Sequence, residues 1–272
     1  MMANGKLLEC SIFDFESFSG ILSVYEVIRI IDGIPLFLED HLGRLMNSIH
    51  LINRKPDVSF TDIADEIHRL TEQNNFTKGN VKIVCNFLPK KNAPDAVLIF
   101  FIPHHYPEKE KYLEGIKMQS LVMERPNPNA KVINSTLTRE VQDLKAQNDL
   151  DEILLVQHDG IMSEGSKSNI FFVRGDEILT ASRDLVLAGI TRDKVINICK
   201  NNGIVCRETK INIKDLSKMS GAFITGTSPK IMPVNQINQF RLQSQHPIIS
   251  KIRKLYDEMI TIYLSNHKES EK

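Results

Sequence analysis

The chain carries no net charge: 34 lysines and arginines balance 34 aspartates and glutamates over 272 residues. Without a basic field it exerts no long-range pull on nucleic acid, and without a polybasic tract it has none on an anionic membrane surface. Long apolar runs are missing as well. The longest, Val97-Leu-Ile-Phe-Phe-Ile102, is far too short to cross a bilayer. The opening stretch, Met1 to Cys10, lacks the apolar core of a secretory signal, so the expected location is the cytoplasm. Cysteine is sparse and scattered, at Cys10, Cys85, Cys199 and Cys206. Cys199 and Cys206 have no second pair and no clustered histidines beside them, which argues against a zinc site or a disulfide framework. All four read as reduced thiols, most simply as buried structural residues.

What is present is ordinary globular composition, 42% hydrophobic and 25% charged, long enough for one large or two modest domains. Residues 21–31 are rich in β-branched side chains, Asp32-Gly33 signals a hairpin turn, and Ile34 to Leu38 supplies the return strand. Leu42, Leu45, Met46, Ile49 and Ile52 recur at helical spacing, predicting a helix from Glu39 to about Asn53. Thr61 is expected to cap a second helix through Asn75. Strands over Val81 to Leu88 and Ala96 to Ile102 follow, joined by Pro89 to Pro94. Pro103-His-His-Tyr-Pro107 and the charged Glu108 to Lys111 then break the pattern. The expected organisation is a smaller N-terminal domain over 1–108, a linker over 109–115 and a larger C-terminal domain over 116–272. The second half reads as strands near 116–123, 153–156, 170–173, 178–180, 204–211 and 222–225. Helices are expected over 136–148, 191–202 and 248–263, with a frayed polar tail from Ser265. Mixed helices and strands in both halves make the class α/β (α+β).

Two residues stand in contexts that suit cofactor chemistry. Lys131 follows the loop Arg125-Pro-Asn-Pro-Asn-Ala130, and Glu164 sits in Asp159-Gly-Ile-Met-Ser-Glu-Gly-Ser-Lys-Ser-Asn-Ile170. An amine and a carboxylate presented this way can serve pyridoxal phosphate, one as the Schiff-base lysine and the other as partner of the pyridine nitrogen. On loops the same residues are ordinarily solvated surface. Ala188-Gly-Ile-Thr-Arg192 delivers Ile190 and Thr191 to a helix start, where free amides and the helix dipole favour an anion; the alternative is that Thr191 only caps the helix. Thr225-Gly-Thr-Ser228 can add Thr227, Ser228 and backbone amides to a phosphate, or can be an ordinary turn. Arg44 offers a fork of donors suited to phosphate, or is a solvated helix arginine. Tyr25 and Arg29 share one face of their strand and Glu26 the other. Tyr25 can contact substrate or cofactor and Arg29 a carboxylate, or they can be a core aromatic beside a surface arginine.

In order, these pieces resemble the fold type IV pyridoxal-phosphate enzymes. That family includes branched-chain aminotransferases, D-amino acid aminotransferases and aminodeoxychorismate lyases. The resemblance runs from about Val24 to Val234 and rests on an ordered series: Val24-Tyr-Glu-Val-Ile-Arg29, His41-Leu-Gly-Arg-Leu45, Lys131 with Asn134, Gly160-Ile-Met-Ser-Glu-Gly165, Ser168-Asn-Ile-Phe171, Leu187-Ala-Gly-Ile-Thr-Arg192 and Thr225-Gly-Thr-Ser-Pro-Lys-Ile-Met-Pro-Val234. It implies a two-domain fold like that of D-amino acid aminotransferase, with pyridoxal 5'-phosphate between the domains and a homodimer in solution. Lys131 and Glu164 would be catalytic. Arg44, Ile190, Thr191, Thr227 and Ser228 would bind the cofactor with them, and Tyr25, Glu26, Arg29 and His104 would meet a small-molecule amino substrate. Two departures bear on substrate. Ile102-Pro-His104 stands where D-amino acid aminotransferases carry an Arg-x-His carboxylate clamp, so the arginine is missing. The chain length and the 33-residue interval from Lys131 to Glu164 are similar to those of aminodeoxychorismate lyases. Glu26 and Gly226-Thr227 are instead aminotransferase-like. The expected activity is a lyase yielding 4-aminobenzoate and pyruvate. The alternatives are a transaminase for a small amino acid, of branched-chain or D-amino acid type, and a non-catalytic cofactor-binding relative.

Overall fold

The structure is a computed structural model that describes residues 1–9, 22–55, 58–88, 96–104 and 106–270. Cys10, Ile21 and the Pro89 to Pro94 connection lie outside them. The chain forms two compact units. The first holds Met1–His105, Ala130–Ile133 and Ile260–Lys272; the second holds Tyr106–Asn129 and Asn134–Met259. The expected linker 109–115 contains a short helix, α3 (Lys109–Glu114), within the second unit.

The first unit is built on a six-stranded sheet. Its strands are β1 (Met2–Ala3), β2 (Lys6–Leu7), β3 (Leu22–Ile31), β4 (Ile34–Pro35), β5 (Lys78–Phe87) and β6 (Ala96–Ile102), in the order β2-β1-β6-β5-β3-β4. The long strands pair antiparallel, β3 with β5 and β5 with β6. Alternation along β3 sends Val24, Ile28 and Ile30 into a fully buried core. There they meet Leu42, Leu45 and Ile49 of α1 (Leu38–Leu51) and Ile63, Ile67 and Leu70 of α2 (Phe60–Gln73). The cap of α2 is Ser59, not Thr61. The Ser59 hydroxyl accepts from Asp62 N, and the Asp62 carboxyl accepts from Ser59 N, a reciprocal capping box.

The second unit is built on a ten-stranded sheet. Its strands are β7 (Ile116–Val122), β8 (Glu152–Val156), β9 (Ile161–Gly165), β10 (Asn169–Arg174), β11 (Glu177–Ala181), β12 (Val205–Thr209), β13 (Ile211–Asn212), β14 (Gly221–Gly226), β15 (Lys230–Ile237) and β16 (Phe240–Arg241). The order is β12-β11-β10-β14-β15-β7-β8-β9-β13, with β16 on β15. Its helices are α3, α4 (Ser135–Asn148), α5 (Ile190–Asn201) and the first part of α6 (Pro247–Ser270). Strand β15 is absent from the sequence-based expectation, because Pro233 inside it reads as a breaker. The proline is accommodated among pairings to β14, β7 and β16. The expected frayed tail is helical through Ser270, and Tyr263 and Lys268 there bond back to Leu38 N and Asp32 within the first unit.

Candidate active site

Lys131 belongs to the first unit although the residues on either side of Ala130–Ile133 belong to the second. Backbone bonds hold this short segment along the free edge of β3. Tyr25 N donates to Lys131 O at 3.0 Å, Ile133 N donates to Ser23 O at 2.9 Å, and Val24 bridges Val132 antiparallel. Lys131 N also donates to the buried Ser48 hydroxyl of α1, 3.2 Å away. The amine is thus carried by a paired strand segment rather than a free loop. Its Nζ lies 4.8 Å from the centre of the Tyr25 ring, within cation–π reach.

Glu26 points to the opposite, core face of β3 and is fully buried. Arg44, on α1, grips it with two hydrogen bonds, Nε to Oε2 at 2.8 Å and Nη2 to Oε1 at 2.7 Å. His41 Nδ1 stands 3.3 Å from Glu26 Oε1. Burial pushes the Glu26 carboxyl up, but the Arg44 guanidinium and then His41 outweigh it and hold the group well below the usual carboxylate range. For His41 burial wins, and its pKa falls despite the neighbouring carboxylate. A carboxylate so held orients Arg44, a role the sequence did not reveal for either residue. Arg29 lies on the Tyr25 face of β3, and its row continues through Asn80 of β5 to Ile102 of β6. His104 is half-buried beside Gly79, where an added Cβ would stand 3.1 Å from its Cε1.

In the second unit Glu164 ends up buried near the end of β9. Its Oε2 accepts from Asn169 Nδ2 at 3.2 Å and from Leu187 N at 3.1 Å, and its Oε1 stands 3.4 Å from Arg125 Nε. Asn169 also donates to Leu187 O at 2.9 Å, which ties the carboxylate to the segment leading into α5. Helix α5 begins at Ile190, with Gly189 as its N-cap and no side chain capping it. Thr191 is therefore a residue of the first turn, not the cap; its hydroxyl lies 3.3 Å from Tyr256 Oη. The glycine is required here: a Cβ at Gly189 would fall 1.9 Å from Asn169 Oδ1. Thr225 of β14 pairs with Asn169, and its buried hydroxyl has no hydrogen-bond partner among the described residues. Thr227 and Ser228 follow in the half-buried turn beyond β14.

One carboxylate is thus brought within a few bonds of an uncapped helix N-terminus and a buried hydroxyl that lacks a partner. Asn169 and Arg125, which connect these parts, stood in the quoted motifs, but an asparagine in a small-residue turn and an arginine in a proline-rich loop carry no periodic signal of a role. Within the second unit these donors fit pyridoxal phosphate: a helix start with no side-chain cap and a buried hydroxyl suit the phosphate, and Glu164 suits the ring nitrogen; in the first unit Lys131 carries the amine such a cofactor needs.

Known structures share the fold. A branched-chain amino acid aminotransferase from T.th., solved with pyridoxamine 5'-phosphate, superposes with a TM-score of 0.84 at 23% identity, covering 95% of this chain and 93% of that one. A Legionella pneumophila protein provisionally assigned as a 4-amino-4-deoxychorismate lyase gives 0.80 at 20% identity, covering 90% and 94%. The architecture is that of the fold type IV enzymes. In sequence, the amino-transferase class IV profile matches residues 23–237. A D-alanine aminotransferase of Bacillus licheniformis is 26% identical over 259 residues, 91% of each chain. The chain belongs to the class IV aminotransferase family, whose cofactor is pyridoxal 5'-phosphate.

Proposed function

We propose that the protein is a pyridoxal-phosphate lyase acting on 4-amino-4-deoxychorismate to give 4-aminobenzoate and pyruvate. Lys131 would hold the cofactor through its amine and would move the proton at the carbon that bears the amino group. Glu164, fixed by Asn169, Leu187 N and Arg125, pairs with the ring nitrogen. Ile190, Thr191, Thr227 and Ser228 hold the phosphate together with Arg44, which Glu26 orients. Tyr25, Arg29 and His104 meet the substrate. When bound, the cofactor supplies an electron sink for charge developing at the carbon that bears the amino group. Lys131 takes the proton from that carbon. The neighbouring carbon–oxygen bond breaks with its electrons going to oxygen, the ring becomes aromatic, and the departing three-carbon enolate gains on carbon the proton removed from the ring, leaving as pyruvate.

The observation that carries this reading is the row Arg29–Asn80–Ile102. An apolar Ile102 cannot pair with a carboxylate, and a carboxylate buried against it would be costly. The row leaves Arg29 as its one cation and sets an apolar wall beside it, which suits a ring-bearing acid. The curated relatives favour a second reading, a transaminase for a small amino acid; beside the D-alanine enzyme stands a branched-chain-amino-acid aminotransferase of Pseudomonas aeruginosa, 23% identical over 270 residues. Loaded enzyme given aminodeoxychorismate should release 4-aminobenzoate and pyruvate in equal amounts, and Arg29→Ala should depress that release. Efficient D-alanine transamination, or amino exchange with a keto acid and no 4-aminobenzoate, would overturn the lyase choice in favour of the transaminase. A homodimer in the cytoplasm is part of the same proposal, checked by sedimentation and fractionation.

A further inference from the structure

Two thiols of the second unit take no part in the cofactor chemistry, and the fold sets them face to face. Cys199 lies in the last turn of α5, where its carbonyl accepts from Asn202 N at 3.2 Å and from Ile204 N at 2.9 Å. Gly203, with a left-handed φ of 64°, turns the chain back, and β12 starts at Val205. The return lays β12 against α5 at two points. Arg192, two helical turns before Cys199 on the buried face of α5, donates to Glu208 of β12 and, at 2.9 Å, to Ala181 O of β11. Cys206, two residues from Glu208, shares its face of β12, and the Cys206 thiol accepts a hydrogen bond from that of Cys199.

The two sulfurs differ. Cys199 is fully buried. Cys206 is half-buried, flanked in sequence by the exposed Val205 and Arg207, on a strand at one end of the ten-stranded sheet. The bond from Cys199, then the Arg192 cation, holds the Cys206 thiol below its ordinary value against burial and the Glu208 charge. The same bond, then burial, pushes the Cys199 thiol up. A half-exposed thiol that ionises readily is the one that attacks, and a buried thiol against its sulfur is the one that closes the bond. Cys85 is the contrast: fully buried in the first unit, its thiol is pushed up to about 12 by burial alone. We propose that Cys199 and Cys206 form a redox-active dithiol, a modification site whose oxidant is hydrogen peroxide. The Cys206 sulfur attacks a peroxide oxygen; the O–O bond breaks, the sulfur is oxidised to a sulfenic acid, and the far oxygen leaves as hydroxide and takes the proton that Cys206 lost. The Cys199 sulfur then attacks the Cys206 sulfur; the S–O bond breaks, and hydroxide leaves as water with the Cys199 proton. Two thiols and one peroxide become one disulfide and two waters, and the new bond ties the last turn of α5 to β12.

The test uses the cofactor-loaded full chain carrying Cys10→Ser, treated with hydrogen peroxide, blocked with N-ethylmaleimide and digested with trypsin. Cleavage after Lys200 puts the two cysteines on separate peptides, residues 195–200 and 201–207, so their disulfide is read as a joined mass that dithiothreitol splits. That mass is expected from protein that stays monomeric on a non-reducing gel. In Cys199→Ser, dimedone should trap a sulfenic acid on Cys206; in Cys206→Ser, Cys199 should be labelled about tenfold less. Iodoacetamide should alkylate Cys206 about tenfold or more faster than Cys85. No joined peptide from the folded protein, a joined peptide only in a covalent dimer, or dimedone labelling of Cys199 ahead of Cys206 would overturn the proposal.

Discussion

Glu164 gathers its surroundings through single bonds that can be cut one at a time. A carboxylate beside a pyridine nitrogen favours the protonated ring by direct attraction, so Glu164→Gln keeps the shape and loses the charge. Turnover should fall by two orders of magnitude or more, about 3 kcal/mol at about 1.4 per decade, with the fold intact by circular dichroism. Near-normal turnover would make Glu164 an ordinary buried turn residue. In the other unit Glu26 and His41 set an acid limit on stability. His41 is depressed from its ordinary 6.5, so below that value the unfolded chain takes a proton that the folded chain refuses. Glu26 is depressed from 4.5, and the stability it contributes above that value is lost as pH falls further toward its folded-state value. Denaturant midpoints should therefore drop first below about 6.5 and again below about 4.5, and Glu26→Gln should flatten the second drop. A midpoint unchanged from neutral pH to about 4 would contradict this.

At the scale of elements, the uncapped start of α5 carries the phosphate reading. Gly189→Ala puts a methyl group 1.9 Å from Asn169 Oδ1, and Asn169 cannot swing away without dropping its bonds to Glu164 and Leu187. The variant should lose about 1–3 kcal/mol of stability by chemical denaturation. It should also bind the cofactor about tenfold more weakly by fluorescence titration, a loss that a purely structural glycine would not produce. Most elements were legible because their signals are local. The β-branched run gave β3, the heptad-like leucines and isoleucines gave α1, and Asp32-Gly33 gave the hairpin. The family was legible only as an ordered series of short motifs. What stayed hidden depends on distant partners. The grip of Arg44 on Glu26 needs α1 laid on β3, and the strand β15 around Pro233 needs neighbours on both sides. The presence of Lys82 beside Tyr25 needs the β3–β5 register. Thr61 competes with Ser59 as a cap because both residue types cap helices well, and only the reciprocal bond to Asp62 distinguishes them.

At the scale of the molecule, the first unit carries the Lys131 amine beside the Tyr25 ring, and the second carries a buried carboxylate, Glu164, tied to the segment that leads into α5. Among the described residues, no helix is long and apolar enough to cross a membrane. The claim on which the rest depends is that Lys131, and not another amine, bonds the cofactor. Lys82 makes the claim a strict one, since its amine lies at the same aromatic ring, 5.2 Å from the centre against 4.8 Å for Lys131. Borohydride reduction of the yellow, loaded protein followed by peptide mass mapping decides between them. A phosphopyridoxyl mass increment is expected on the peptide containing Lys131 and none on the peptide containing Lys82; the increment on Lys82, or on any lysine other than Lys131, would contradict the assignment of Lys131.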